Sequence, residues 1–83
     1  MNTILSLKNQ IDKTNKDIIS LLIQRQELSR ELRNEKIKLG IPIYEYSRDT
    51  DIYTSTKKGN PNEYTYLKPI LEEIMKQSRL IQN

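Results

Sequence analysis

The sequence predicts an all-α fold of three helices, long, short and medium, and three observations carry that expectation. Apolar residues recur at steps of three and four from Ile4 to Leu39, with neither Gly nor Pro among them. Both glycines and all three prolines of the chain fall after residue 39, where they divide the second half into shorter segments. Beyond Pro69 a second amphipathic pattern appears in Ile70, Leu71, Ile74, Met75 and Ile81.

The first helix follows from a heptad-like stripe of Ile4, Leu7, Ile11, Thr14, Ile18, Leu21, Arg25, Leu28, Leu32, Glu35 and Leu39. At 1.5 Å per residue, roughly 35 residues make a rod about 50 Å long. Such a rod is too long for the core of a small monomer, so it must pack along another long helix. Gly40 supplies the C-terminal stop and Pro42 prevents resumption. Ile41-Pro42-Ile43-Tyr44 reads as a short extended connector. Ser47 reads as an N-cap, followed by Arg48-Asp49-Thr50-Asp51 with acids in the first turn of a short helix that runs to Lys58 and is closed by Gly59. Asn60-Pro61 can start the third helix. Pro69 leaves two possibilities: a start near Lys68, or a kink where the ring removes a hydrogen bond.

Eighty-three residues make one domain, 1–83. The 29 hydrophobic residues are twelve Ile, ten Leu, five Tyr and two Met. So few large apolar groups point to oligomerisation in place of a private core. The absence of Cys and His removes thiol nucleophiles, zinc-finger ligands and imidazole bases. No apolar run approaches the ~20 residues of a membrane span, and the N-terminus carries no signal-peptide pattern; the expected location is the cytoplasm. The net charge of +3 is spread over fourteen basic and eleven acidic residues, which does not make a nucleic-acid tract.

Arg25 breaks the stripe between Leu21 and Leu28. A buried guanidinium is costly without an anion, although snorkelling or an acid from a neighbouring helix explains it taken alone. Lys36, eleven residues on, lies about 20° around and about 16 Å along the same helix. Two cations on one buried face point to a pocket for a small anion. Ser78 and Gln82 sit i,i+4 on the last helix, continuing the side of Ile74, and can donate hydrogen bonds into such a pocket. Arg48 adds positive charge at the start of the second helix, where Asp49 can accept from a hydroxyl. This set suits a reaction that needs orientation and electrostatic stabilisation without covalent chemistry.

These residues, in this order, resemble the all-helical (type II) chorismate mutase family. The resemblance rests on Leu7-Lys8, Ile11-Asp12, Ile18, Leu21-Leu22, Arg25 and Lys36, then Gly40-Ile41-Pro42-Ile43, Arg48-Asp49 and Ser78-Arg79-Leu80-Ile81-Gln82. It implies an intertwined, domain-swapped helical homodimer with shared active sites, no cofactor, and conversion of chorismate, a small dianion, to prephenate for aromatic amino acid biosynthesis in the shikimate pathway. Arg25 would then pair with a carboxylate, and Lys36 would reach a carboxylate and the ether oxygen. Gln82 would donate to that oxygen, Ser78 would hold a carboxylate, and Arg48 would position ligand and loop. Asp49, assisted by backbone near Glu45, would accept from the ring hydroxyl. Lys8, about 25 Å from Arg25 along the rod, could join only from a second chain.

The sequence departs from the family at three points: Lys8 stands where Arg is usual, Asp49 replaces a Glu, and Gln82 is penultimate. Other readings on the same scaffold are an isochorismate-pyruvate lyase, a mutase of 4-amino-4-deoxychorismate, and a non-catalytic helical dimer. An activating partner enzyme is compatible with the resemblance.

Overall fold

A computed structural model describes residues 2–43 and 46–82, with the side chains of residues 46, 47 and 82 outside the described set. Its helices are α1 (Thr3–Leu39), α2 (Tyr46–Gly59) and α3 (Tyr64–Gln82). No strand occurs among the described residues.

Helix α1 begins at Asn2, whose side-chain oxygen accepts from the Leu5 N–H at 3.1 Å. It ends as the sequence predicts. Gly40 adopts the left-handed conformation (φ 68°, ψ 24°), its N–H bonds to the Ile37 carbonyl at 3.2 Å, and the Ile41 N–H bonds to that of Lys36 at 3.1 Å. A Cβ at Gly40 would meet no neighbouring atom. Only the backbone angle requires glycine there.

Three boundaries differ from expectation. Helix α2 starts at Tyr46, so Ser47 lies inside the first turn and is not its cap. Gly59 is the last helical residue and does not take a left-handed φ. The next residue closes this end: the Asn60 N–H and side-chain amide both donate to the Thr56 carbonyl, at 2.9 and 3.3 Å. Helix α3 starts at neither Asn60-Pro61 nor Lys68. The Glu63 carbonyl accepts from Tyr66 and Leu67, and the helix then runs through Pro69. Proline forfeits one bond, to the carbonyl of Thr65, which is an exposed residue.

Helix α3 packs against both α1 and α2, so it is the element that joins the chain together. The molecule extends 59 × 26 × 17 Å with a radius of gyration of 16.5 Å, against about 12 Å for a compact chain of this length. The excess comes from α1. Every residue from 2 to 24 is exposed, including Ile4, Leu7, Ile11, Ile18 and Leu21 of the stripe. Among the described residues only Met75 and Lys36 are buried, at 3% and 5% exposure. No helix among them is long and apolar enough to cross a membrane.

Candidate active site

The far half of α1 is where the three helices converge. Arg25, Ser29, Leu32 and Lys36 follow one another at helical steps along its inner face. Across from them lie Arg48, Asp49 and Ile52 of α2 and Met75, Ser78 and Arg79 of α3, with Ile43 of the connector closing one end. One cavity touches all of these side chains. Of the candidate residues it brings together Arg25, Lys36, Arg48, Asp49 and Ser78.

Each position has a local cause. Arg25 is half-buried. Its Nη1 donates to Ser78 Oγ and its Nη2 points to Met75 Sδ at 3.8 Å. Ser78 Oγ in turn donates to the Ile74 carbonyl one turn back, at 3.1 Å, which holds the hydroxyl lone pairs toward the guanidinium. Arg25 makes no ion pair among the described residues. Burial, then the positive charge of Arg48, push its pKa below the ordinary arginine value, and Asp49 offsets this in part. The fold therefore places Arg25 where added negative charge is favoured.

Lys36 owes its place to Gly40. The left-handed turn brings the connector back over the last turn of α1, so that Lys36 Nζ donates to the Ile43 carbonyl at 3.0 Å. An end-of-helix lysine, which by itself reads as solvated, is thereby one of the two buried residues among those described. Asp49 enters from the first turn of α2, and its Oδ2 lies 3.3 Å from Arg79 Nη1. Tyr53, one turn on from Asp49, is held above the ordinary tyrosine pKa by burial, by Glu72 and by Asp49, with Arg79 acting the other way.

One expected residue, Lys8, is not in this cluster, and the side chains of two others lie outside the described residues. Lys8 lies on the exposed part of α1 and does not line the cavity. Glu45 lies outside the described residues. Gln82 is the last residue of α3, one turn beyond Ser78, and its side chain lies outside the described set. Conversely, Arg79 lines the cavity although the sequence pattern alone gives it no role. The spacing held a signal, since Arg79 is i+4 from Met75 and continues the inward stripe of α3.

Among the described residues, four cations, one carboxylate and two hydroxyls around a small cavity can bind a compact polyanion and stabilise negative charge that develops within it. A family model described as chorismate mutase type II matches residues 7–83. The chain belongs to the type II chorismate mutase family. A T-protein of Enterobacter agglomerans is 30% identical over 83 aligned residues, covering 94% of this chain and 22% of the relative. The chain thus spans about a fifth of the length of that relative. No solved structure matches it significantly. Within this type II chorismate mutase family member, the matched segment contains every residue that lines the cavity.

Proposed function

We propose that this chain catalyses the rearrangement of chorismate to prephenate. The observation that carries the proposal is Arg25: a half-buried cation, repelled by Arg48 and held by neutral Ser78, at the wall of a cavity in a chain of this family. The reaction breaks the ether C–O bond and forms a C–C bond in one cyclic shift of electron pairs, with no proton or group transferred to the protein. The protein's task is to hold the dianion folded and to stabilise charge on the departing oxygen. Arg25 pairs with one carboxylate through its planar fork, and Ser78 assists at the same end. Lys36 bridges a carboxylate and the ether oxygen, Gln82 supplies the second donor to that oxygen, and Arg48 positions the ligand. Asp49 accepts from the ring hydroxyl, with backbone near Glu45 beside it.

The site is completed by a second copy. The uncovered stripe of α1 supports an intertwined, domain-swapped homodimer in which each long helix covers the other, because an exposed apolar face of this extent calls for a partner. In that arrangement Lys8 enters the site of the neighbouring chain. An ammonium cannot reproduce the guanidinium fork, so a Lys8→Arg variant is expected to lower KM for chorismate about three- to tenfold with kcat little changed. An unchanged or raised KM places Lys8 outside the site.

The test of the function is loss of the chorismate diene absorbance, with products identified by chromatography and isochorismate run in parallel. Prephenate from chorismate supports the proposal; pyruvate from isochorismate alone assigns the pocket to a lyase. The rate is also expected to be nearly flat between about pH 5 and 8. The chain has no His or Cys, the side chains whose ordinary pKa values lie in or near that range. Gln82 donates its amide hydrogen at any pH. Burial and the charge of Arg48 lower the pKa of Arg25 from the ordinary arginine value, which lies far above this range. A steep fall of kcat/KM across neutral pH contradicts the assignment.

A further inference from the structure

We propose that Arg79 is a specificity-determining positioning residue: by pairing with Asp49 it reserves the ring-substituent end of the pocket for a neutral hydroxyl and turns away a protonated amine. This rests on the proposed function, in which Asp49 faces that substituent. Asp49 is the one carboxylate lining the cavity among the described residues, and Arg25, Lys36, Arg48 and Arg79 line it with positive charge. A dianion with a neutral ring substituent matches that balance. A substrate carrying an ammonium in place of the hydroxyl brings one negative charge fewer overall. It also sets its positive charge at Asp49, the one carboxylate among the described lining residues, which already serves Arg79 at 3.3 Å. Like charges sharing one partner repel each other.

The geometry of the pair adds to the charge argument. Arg79 engages Oδ2 of Asp49 and leaves Oδ1 for a donor from the ligand. A hydroxyl needs one acceptor, whereas an ammonium has three N–H groups to satisfy. The side chain of Asp49 is 19% exposed and that of Arg79 is 41% exposed. The carboxylate is thus largely withdrawn from water while its partner reaches in from the rim. A half-exposed pair of this kind contributes little to stability. Its effect falls on what the carboxylate can accept.

The experiment measures kcat/KM for chorismate and for 4-amino-4-deoxychorismate with the full chain, Arg79→Gln and Arg79→Lys. Binding of a bicyclic transition-state analogue, in hydroxyl and amine forms, is measured by calorimetry alongside. The unaltered chain is expected to prefer the hydroxyl compound in both assays. Arg79→Gln should narrow the preference about three- to tenfold, mainly through KM and analogue affinity, and Arg79→Lys should restore most of it. A preference that Arg79→Gln leaves unchanged, or an unaltered chain that favours the amine, overturns the proposal. If neither substrate turns over but the hydroxyl analogue still binds more tightly in an Arg79-dependent manner, the reaction assignment falls and the charge selection by Arg79 stands. Binding of neither analogue overturns both.

Discussion

Replacing Arg25 with alanine is expected to lower kcat/KM for chorismate by about 10³-fold or more while leaving the helices and the oligomeric state intact. A bidentate charged contact in a partly desolvated site contributes on the order of 4 kcal/mol when it also holds the ligand in its reactive fold, and each 1.4 kcal/mol is about tenfold in rate. The loss need not extend to stability. Burial and the charge of Arg48 disfavour the cationic form of Arg25 in the folded chain. Since a base with a lowered folded-state pKa gains stability only as pH rises through that pKa, far above neutrality, its charge opposes folding at pH 7. The alanine variant should therefore melt at the same temperature as the parent or slightly above it, and it should lose the rise in Tm that a transition-state analogue gives the parent. Arg25→Lys separates charge from shape: keeping the cation without the fork should recover only part of the rate. A variant that is folded, dimeric and fully active would remove Arg25 from the site. A variant that unfolds would show that Ser78 and Met75 need its contacts for packing.

How much of this molecule could be read from its sequence depended on the range of the interaction involved. Helix α1, its stop at Gly40 and the amphipathic pattern after Pro69 are local patterns, and the structure has them where periodicity and backbone preference put them. Arg25 was conspicuous because it interrupts an apolar stripe. Ser47 and Gly59 misled because each has the right residue type at a plausible place. The helix starts at Tyr46, and Asn60, not Gly59, supplies the closing bonds through its amide. Pro69 was ambiguous because a proline near a helix start costs one bond, which a solvent-facing carbonyl tolerates. The spacing of Arg79 from Met75 marks it as inward-facing, but its pairing is not legible in the sequence. Its partner Asp49 lies 30 residues away on another helix, and nothing in the sequence states how α2 lies against α3. The burial of Lys36 depends in the same way on a connector folding back, which the sequence announces only as Gly and Pro.

The largest effect of all is expected from substitutions far from the cavity. Ile11→Glu combined with Ile18→Glu should abolish the proposed dimer and most of the helical content, and with them the proposed activity. Both positions are exposed in the single chain, at 58% and 49%, so a monomeric protein would tolerate the two charges within about 0.5 kcal/mol each. The single chain, however, buries only Met75 and Lys36 among its described residues, which is no basis for independent folding. In the proposed homodimer the stability comes from covering the α1 stripe, so folding and association are one event and Tm should rise with protein concentration. In a two-fold dimer the double substitution forces four carboxylates into the seam. Each costs about 2–5 kcal/mol from the lost isoleucine alone, before the penalty for an unpaired charge, and the total exceeds the 5–15 kcal/mol that typically holds a small protein together. Lys16→Glu, on the far side of the same helix, reverses a charge without touching the stripe and should leave the dimer whole. Light scattering and far-UV circular dichroism read both outcomes. A double variant that stays helical and active would mean that the long helix finds its cover elsewhere, and that a second chain does not complete the site with Lys8.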